Sequence, residues 1–87
     1  MITLVKEKIE VKAQGVRFIA GLLILELSDG RHISLPMQKI KWLAWLFKAT
    51  PEQRGKWSIL PHGYGVYWEE LDDGFEVEHA LSTAELD

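Results

Sequence analysis

Met37-Gln38-Lys39-Ile40-Lys41-Trp42-Leu43-Ala44-Trp45-Leu46-Phe47-Lys48-Ala49 is the stretch around which the rest of the chain can be arranged. Met37, Ile40, Leu43, Ala44 and Phe47 recur at steps of three and four residues, which places them on one face of a helix. Burying the four large side chains at roughly 1.5–3 kcal/mol each supplies about 6–12 kcal/mol, comparable to the whole net stability of a small domain. A second stripe of Trp42, Trp45, Leu46 and Ala49 lies beside the first and is too apolar for an ordinary solvated face. The expectation is a main helix over residues 37–49 with two apolar sides.

Outward from that stretch, a hairpin precedes it. Leu22 to Leu27 is a nearly continuous apolar strand, and Arg31 to Leu35 alternates. A two-residue loop at Asp29-Gly30 would set Leu25 opposite Ser34, spoiling the faces. A three-residue loop of Ser28, Asp29 and Gly30 sets Leu25 opposite Ile33 and Leu23 opposite Leu35, and a slip of one residue would turn every side chain over. The longer loop needs a positive φ at its end, which Gly30 adopts without a Cβ clash. In this register His32 faces Glu26 on the outer side.

Towards the N-terminus, Val5, Ile9 and Val11 alternate with charged residues as a half-buried strand, with Glu7 its one polar inward position. Gln14-Gly15 punctuates, Val16 to Ala20 is a second strand, and Gly21 turns it into the hairpin. After the main helix, Thr50, Pro51 and Gln53 form a capping box for a short second helix that Gly55 stops. Trp57 to Leu60 reads as a strand, Pro61-His62-Gly63 as a turn, and Tyr64 to Trp68 as a strand with Tyr64, Val66 and Trp68 on one face. Asp72-Asp73-Gly74 is a turn, Phe75 to Val77 a last strand, Glu78 to Leu81 a final helical turn, and residues 82–87 a frayed tail. The chain is therefore expected to be a single α+β domain over residues 1–87. Its small, mostly antiparallel sheet packs on one main helix and a short second one.

Composition narrows the function classes. Eighty-seven residues with 47% hydrophobic content and four tryptophans lie far from the disordered class. Ten basic against thirteen acidic residues give a net charge of −3, which disfavours general phosphate or nucleic-acid binding, although Lys39, Lys41 and Lys48 fall together in one segment beside Trp42. The absence of cysteine leaves no disulfide framework or thiolate metal site and suits a cytoplasmic location. The opening residues lack a signal-peptide plan and no apolar run reaches ~18 residues, so neither secretion nor a membrane partner is expected.

Chemistry-bearing residues are sparse. His32, His62 and His79 show no pairwise spacing of a metal site, and Glu69, Glu70, Asp72 and Asp73 flank a glycine turn where carboxylates ordinarily serve as turn formers. No serine sits in a nucleophile elbow, and Gly63-Tyr64-Gly65 is not a phosphate loop but a place for close backbone packing under Trp68 or Trp57. Arg54 is placed to reach the acidic turn at Asp72 as an ion pair or as a recognition residue. No catalytic residue, metal or cofactor is therefore expected. The leading expectation is a non-enzymatic interaction domain that binds a partner protein or itself through Trp42, Trp45, Leu46, Arg54 and Asp72. The alternative is a ligand-binding or enzymatic cleft formed by His62, Asp72, Asp73 and Arg54.

An ordered set of residues carries a resemblance: Leu27-Ser28-Asp29-Gly30-Arg31, Ile33-Ser34, Pro36, Ala49-Thr50-Pro51-Glu52-Gln53-Arg54, Trp57, Gly63-Tyr64-Gly65, Trp68 and Leu71-Asp72. From about Val16 to Leu81 the chain resembles a family of small bacterial proteins known as domain of unknown function 2442. It departs from the family in carrying about one extra helical turn around Ala44 to Phe47. The resemblance implies an α+β fold and no established activity or catalytic residues. Members are often encoded beside another small family, domain of unknown function 4160, in an arrangement similar to toxin–antitoxin pairs. The resemblance thus implies an antitoxin-like, partner-binding role.

Overall fold

In the computed structural model, residues 11–85 are described, with side chains for residues 11–83. The strand expected over Val5 to Lys12 falls largely outside them, and Val11 and Lys12 are not in a strand. Two antiparallel three-stranded sheets form the frame. The first is β1 (Ala13–Ile19), β2 (Leu22–Leu27) and β3 (His32–Pro36) in that spatial order. The second is β4 (Trp57–Ile59), β5 (Gly65–Trp68) and β6 (Asp73–Glu76), again in chain order. This is the expected α+β, antiparallel arrangement, with the later short strands forming a sheet of their own.

The β2–β3 hairpin follows its face-matching logic. Leu25 pairs with Ile33, Leu23 with Leu35 and Glu26 with His32. The loop is Ser28 to Gly30, closed by hydrogen bonds between Leu27 and Arg31 and between Leu27 and Gly30, with Gly30 at φ +93. Val16, Leu23, Leu25, Leu27, Ile33 and Leu35 consequently share the buried face. Gln14-Gly15 does not break the first strand. It is a bulge inside β1, where the register shifts between Ala13 and Gly15, and the missing Cβ at Gly15 lets the Glu26 carboxylate lie over it.

The expected helix over residues 37–49 is broken. Met37 to Lys39 form a turn that returns to the Pro36 carbonyl, and Ile40 is extended at φ −98, ψ 112. A 3₁₀ turn then runs over Lys41–Leu43, and only α1 (Ala44–Phe47) is α-helical. The buried side chains are Met37, Leu43 and Leu46, whereas Ala44 and Phe47 of the anticipated inner face are exposed. The cause lies in a second periodicity: Ile40, Leu43 and Leu46 recur at steps of three, as do Trp42 and Trp45, which suits the eclipsed geometry of a 3₁₀ turn. Tryptophan and isoleucine are mediocre helix formers, so the core, rather than local propensity, sets the backbone here.

The capping box is present as read. Thr50 Oγ1 accepts from the Gln53 N–H at 3.1 Å and Gln53 Oε1 accepts from the Thr50 N–H at 3.0 Å, starting α2 (Pro51–Arg54). In the second sheet the β5–β6 connection is a 3₁₀ turn at Glu69–Leu71 followed by Asp72 in the left-handed region at φ 51. Asp73 and Gly74 are therefore strand residues, opposite Trp68 and Tyr67, and not part of the turn. Val66 and Trp68 face the core while Tyr64 is exposed. Gly65 does permit close packing, but against the Phe75 carbonyl and Leu60 rather than under a tryptophan.

The final helical turn extends into α3 (Val77–Glu85), which takes in residues 82–85 of the expected tail. Val77 and Ala80 are buried, Leu81 packs against the same core, and α3 lies against β3 while β1 lies against β4. Those two contacts join both sheets around one apolar cluster.

Candidate functional site

Arg54 is the residue whose place departs furthest from expectation. Its Nε donates to the Leu46 carbonyl at 3.1 Å, which also accepts from the Ala49 N–H, and its Nη2 donates to the Phe47 carbonyl at 2.7 Å at the end of α1. It makes no ion pair with Asp72, because α2 folds back on α1 and the fork is taken up there. The Arg54 carbonyl in turn accepts from the indole N–H of Trp68 at 2.9 Å. Trp68 is fully buried and meets Trp45 edge-on, ring centroids 5.6 Å apart. Arg54 therefore fixes the backbone that carries Trp45. Arg54→Met is expected to lower stability by about 2 kcal/mol, in the range of hydrogen bonds to a charged donor, as measured by urea denaturation. Arg54→Lys should recover little of that loss, since an ammonium cannot span both carbonyls.

Trp42 is held from three sides. Its Nε1 donates to Thr83 Oγ1 at 3.1 Å, and that hydroxyl donates to the His79 carbonyl at 3.1 Å, one turn back along α3. The Trp42 ring meets Phe75 edge-on at 5.4 Å and lies 4.4 Å from the His79 ring. Trp42 and Trp45 both remain half-buried. Between them and strand β6 runs an open groove of about 460 Å³, lined by Trp42, Trp45, Asp73, Phe75, Glu76 and His79, with Gly74 leaving its wall bare of a side chain.

The remaining candidates divide. Leu46 is fully buried and belongs to the core, not to a surface. Asp72 is exposed and accepts from the Tyr67 hydroxyl at 2.7 Å, a bond that holds the phenol above its usual pKa. Asp73 lines the groove, and its Oδ1 accepts from the Gly74 N–H at 2.8 Å. His62, at φ 65 in a 3₁₀ turn before β5, is exposed. It lies beyond one end of β5 and Asp72 beyond the other, separated by a strand of roughly 13 Å. With Arg54 turned to α1, the cleft of His62, Asp72, Asp73 and Arg54 is not assembled. Among the described residues no group of three or more His, Asp or Glu is placed to hold a metal ion. Nor is any described helix long and apolar enough to cross a membrane.

Phe75, Glu76 and His79 join the site although the sequence singled out none of them for it. The residues of the groove come from three separate segments, so no local spacing could reveal them. The one available signal was that His79 stands two residues beyond a strand.

Three comparisons bear on identity. A family model described as a protein of unknown function (DUF2442) matches residues 13–79. The crystal structure of a protein of unknown function from Rhodospirillum rubrum ATCC 11170 superimposes with a TM-score of 0.70 at 25% identity, covering 85% of this chain and 88% of that one. The solution structure of an uncharacterised protein from Chromobacterium violaceum gives a TM-score of 0.67, also at 25% identity, over 82% of this chain and 64% of that one. No curated protein matches the chain.

Proposed function

The chain belongs to the DUF2442 family, and from that premise we propose that it acts as a protein-interaction domain rather than as an enzyme. The observation that carries this reading is the pair of half-buried indoles, Trp42 and Trp45, opening onto one groove beside an edge strand. Large aromatics fixed by their neighbours and still partly open to solvent lose little entropy when a partner covers them, which is the character of a binding hot spot. The burial of Leu46 and the engagement of Arg54 reduce the surface to the two tryptophans, the groove and the acidic rim that leads to Asp72.

The partner class we propose, on the family resemblance, is a small toxin-like protein from a neighbouring gene, neutralised by being covered. Glu52, Glu69, Glu70, Asp72 and Asp73 are all exposed and could complement a basic site on it. A cytoplasmic setting fits the cysteine-free sequence.

Co-expression with the neighbouring gene product, followed by size exclusion, tests the reading. Co-elution is expected, and Trp45→Ala should weaken the complex by about thirtyfold or more, the scale of a hot-spot loss near 2 kcal/mol. Failure to co-elute, together with self-association unchanged by Trp45→Ala, rejects it.

A further inference from the structure

We propose that the groove receives a cationic side chain, a lysine or arginine presented by the partner protein; the inference rests on the docking reading above and names the chemistry of what docks. The lining supplies two half-buried indoles, the rings of Phe75 and His79, two carboxylates at Asp73 and Glu76, and no lysine or arginine. Neither carboxylate makes an ion pair with a described residue: the three pairs present are Arg17–Glu26, Arg31–Asp29 and Lys56–Glu70. Indole faces attract cations through the ring quadrupole, and carboxylates at the rim attract them by charge, so both features of the lining select one sign. An apolar side chain would find the same rings but would leave the carboxylates to be desolvated without return.

The walls are fixed before anything binds. Trp42 is tied to α3 through Thr83, and Trp45 is buttressed by Trp68. Asp73 spends one oxygen on the Gly74 N–H, which leaves the other for a ligand. A volume of about 460 Å³ is within the ~300–1,000 Å³ span of sites that hold small ligands, enough for one long side chain with a little of its flanking backbone.

The test is a titration of the ¹⁵N-labelled full chain with N-acetyl-arginine amide and N-acetyl-lysine amide at constant ionic strength, read at the indole N–H signals. N-acetyl-citrulline amide serves as the neutral counterpart, and tetramethylammonium chloride as a free cation. The expected result is saturable movement of the Trp42 and Trp45 signals with the cationic amides and not with citrulline. The pair Asp73→Asn and Glu76→Gln, which keeps the Gly74 contact, should weaken binding by about tenfold or more. Equal response to citrulline, unchanged affinity in the neutralised variant, or no movement at all overturns the inference. A response to tetramethylammonium alone also overturns it, by assigning the groove to a free small cation. A flat titration with an intact partner complex defeats this inference only, whereas a missing complex with a positive titration defeats only the docking reading.

Discussion

Trp68→Ala is expected to remove about 3–5 kcal/mol of stability, the usual loss for truncating a buried tryptophan to alanine. Small domains hold a net ~5–15 kcal/mol, so the variant should lose a large share of its stability and, at the low end of that range, be partly unfolded at room temperature. Trp68 is the joint of the molecule. It lies fully buried on β5, pairs with Trp57 on β4 and Asp73 on β6, and packs its ring against Trp45 and Phe75. Its N–H also fixes the end of α2 at the Arg54 carbonyl. Deleting the ring opens a cavity between the second sheet and α1 that backbone hydrogen bonds prevent from closing. Urea denaturation followed by far-ultraviolet circular dichroism measures the effect. Trp68→Phe keeps most of the volume and drops the N–H, and should lose about 1–3 kcal/mol. A midpoint for Trp68→Ala close to that of the wild type would show that the ring is not what joins these elements.

Gly74→Ala is expected to be nearly as damaging for a different reason. A Cβ at this position would stand 2.3 Å from the Val66 carbonyl oxygen and 3.0 Å from the Tyr67 Cα. Both are backbone atoms of the central strand, so no side chain can swing away; β6 must move off β5 or the strand must twist. Overpacking of this kind costs about 1–3 kcal/mol and more where backbone must shift. Gly21→Ala is the control: at φ +83 with nothing within 4 Å, it carries only the left-handed strain of about 1–2 kcal/mol. Hydrogen exchange at the Phe75 amide, which pairs across to Val66, should accelerate in Gly74→Ala and not in Gly21→Ala. Equal stability of the two variants, with Phe75 protection retained, would refute the steric account. Because β6 walls the groove, Gly74→Ala should also abolish the indole response to cationic amides.

What could be read from the chain directly was what short-range rules enforce. The β2–β3 register follows from two faces and one glycine, since a half-buried strand admits only one pairing that hides its leucines. The capping box at Thr50 to Gln53 involves four neighbouring residues and needs no partner elsewhere. Turn glycines and alternating strands gave the α+β class for the same reason.

The segment from Met37 to Ala49 was different, because its apolar residues satisfy a step of three as well as a step of 3.6. Nothing local separates the two, and packing resolved the matter by burying Leu43 and Leu46 while leaving Ala44 and Phe47 outside. The length of α3 was likewise hidden: Ser82 and Thr83 are indifferent helix formers, and they stay helical where Val77, Ala80 and Leu81 dock on the core. Arg54 looked like a surface cation until the fold brought the carbonyls of Leu46 and Phe47 to it.

The sequence by itself therefore determined most strands of the described residues, the register of the β2–β3 hairpin, the cap of α2 and the wealth of aromatic side chains, all of which depend on neighbours a few residues away. Tertiary structure alone decided that Trp42 and Trp45 share a groove with Asp73, Glu76 and His79. Those residues are up to 37 positions apart, and only the packing of β6 and α3 beside the 3₁₀ turn brings them within reach of one ligand.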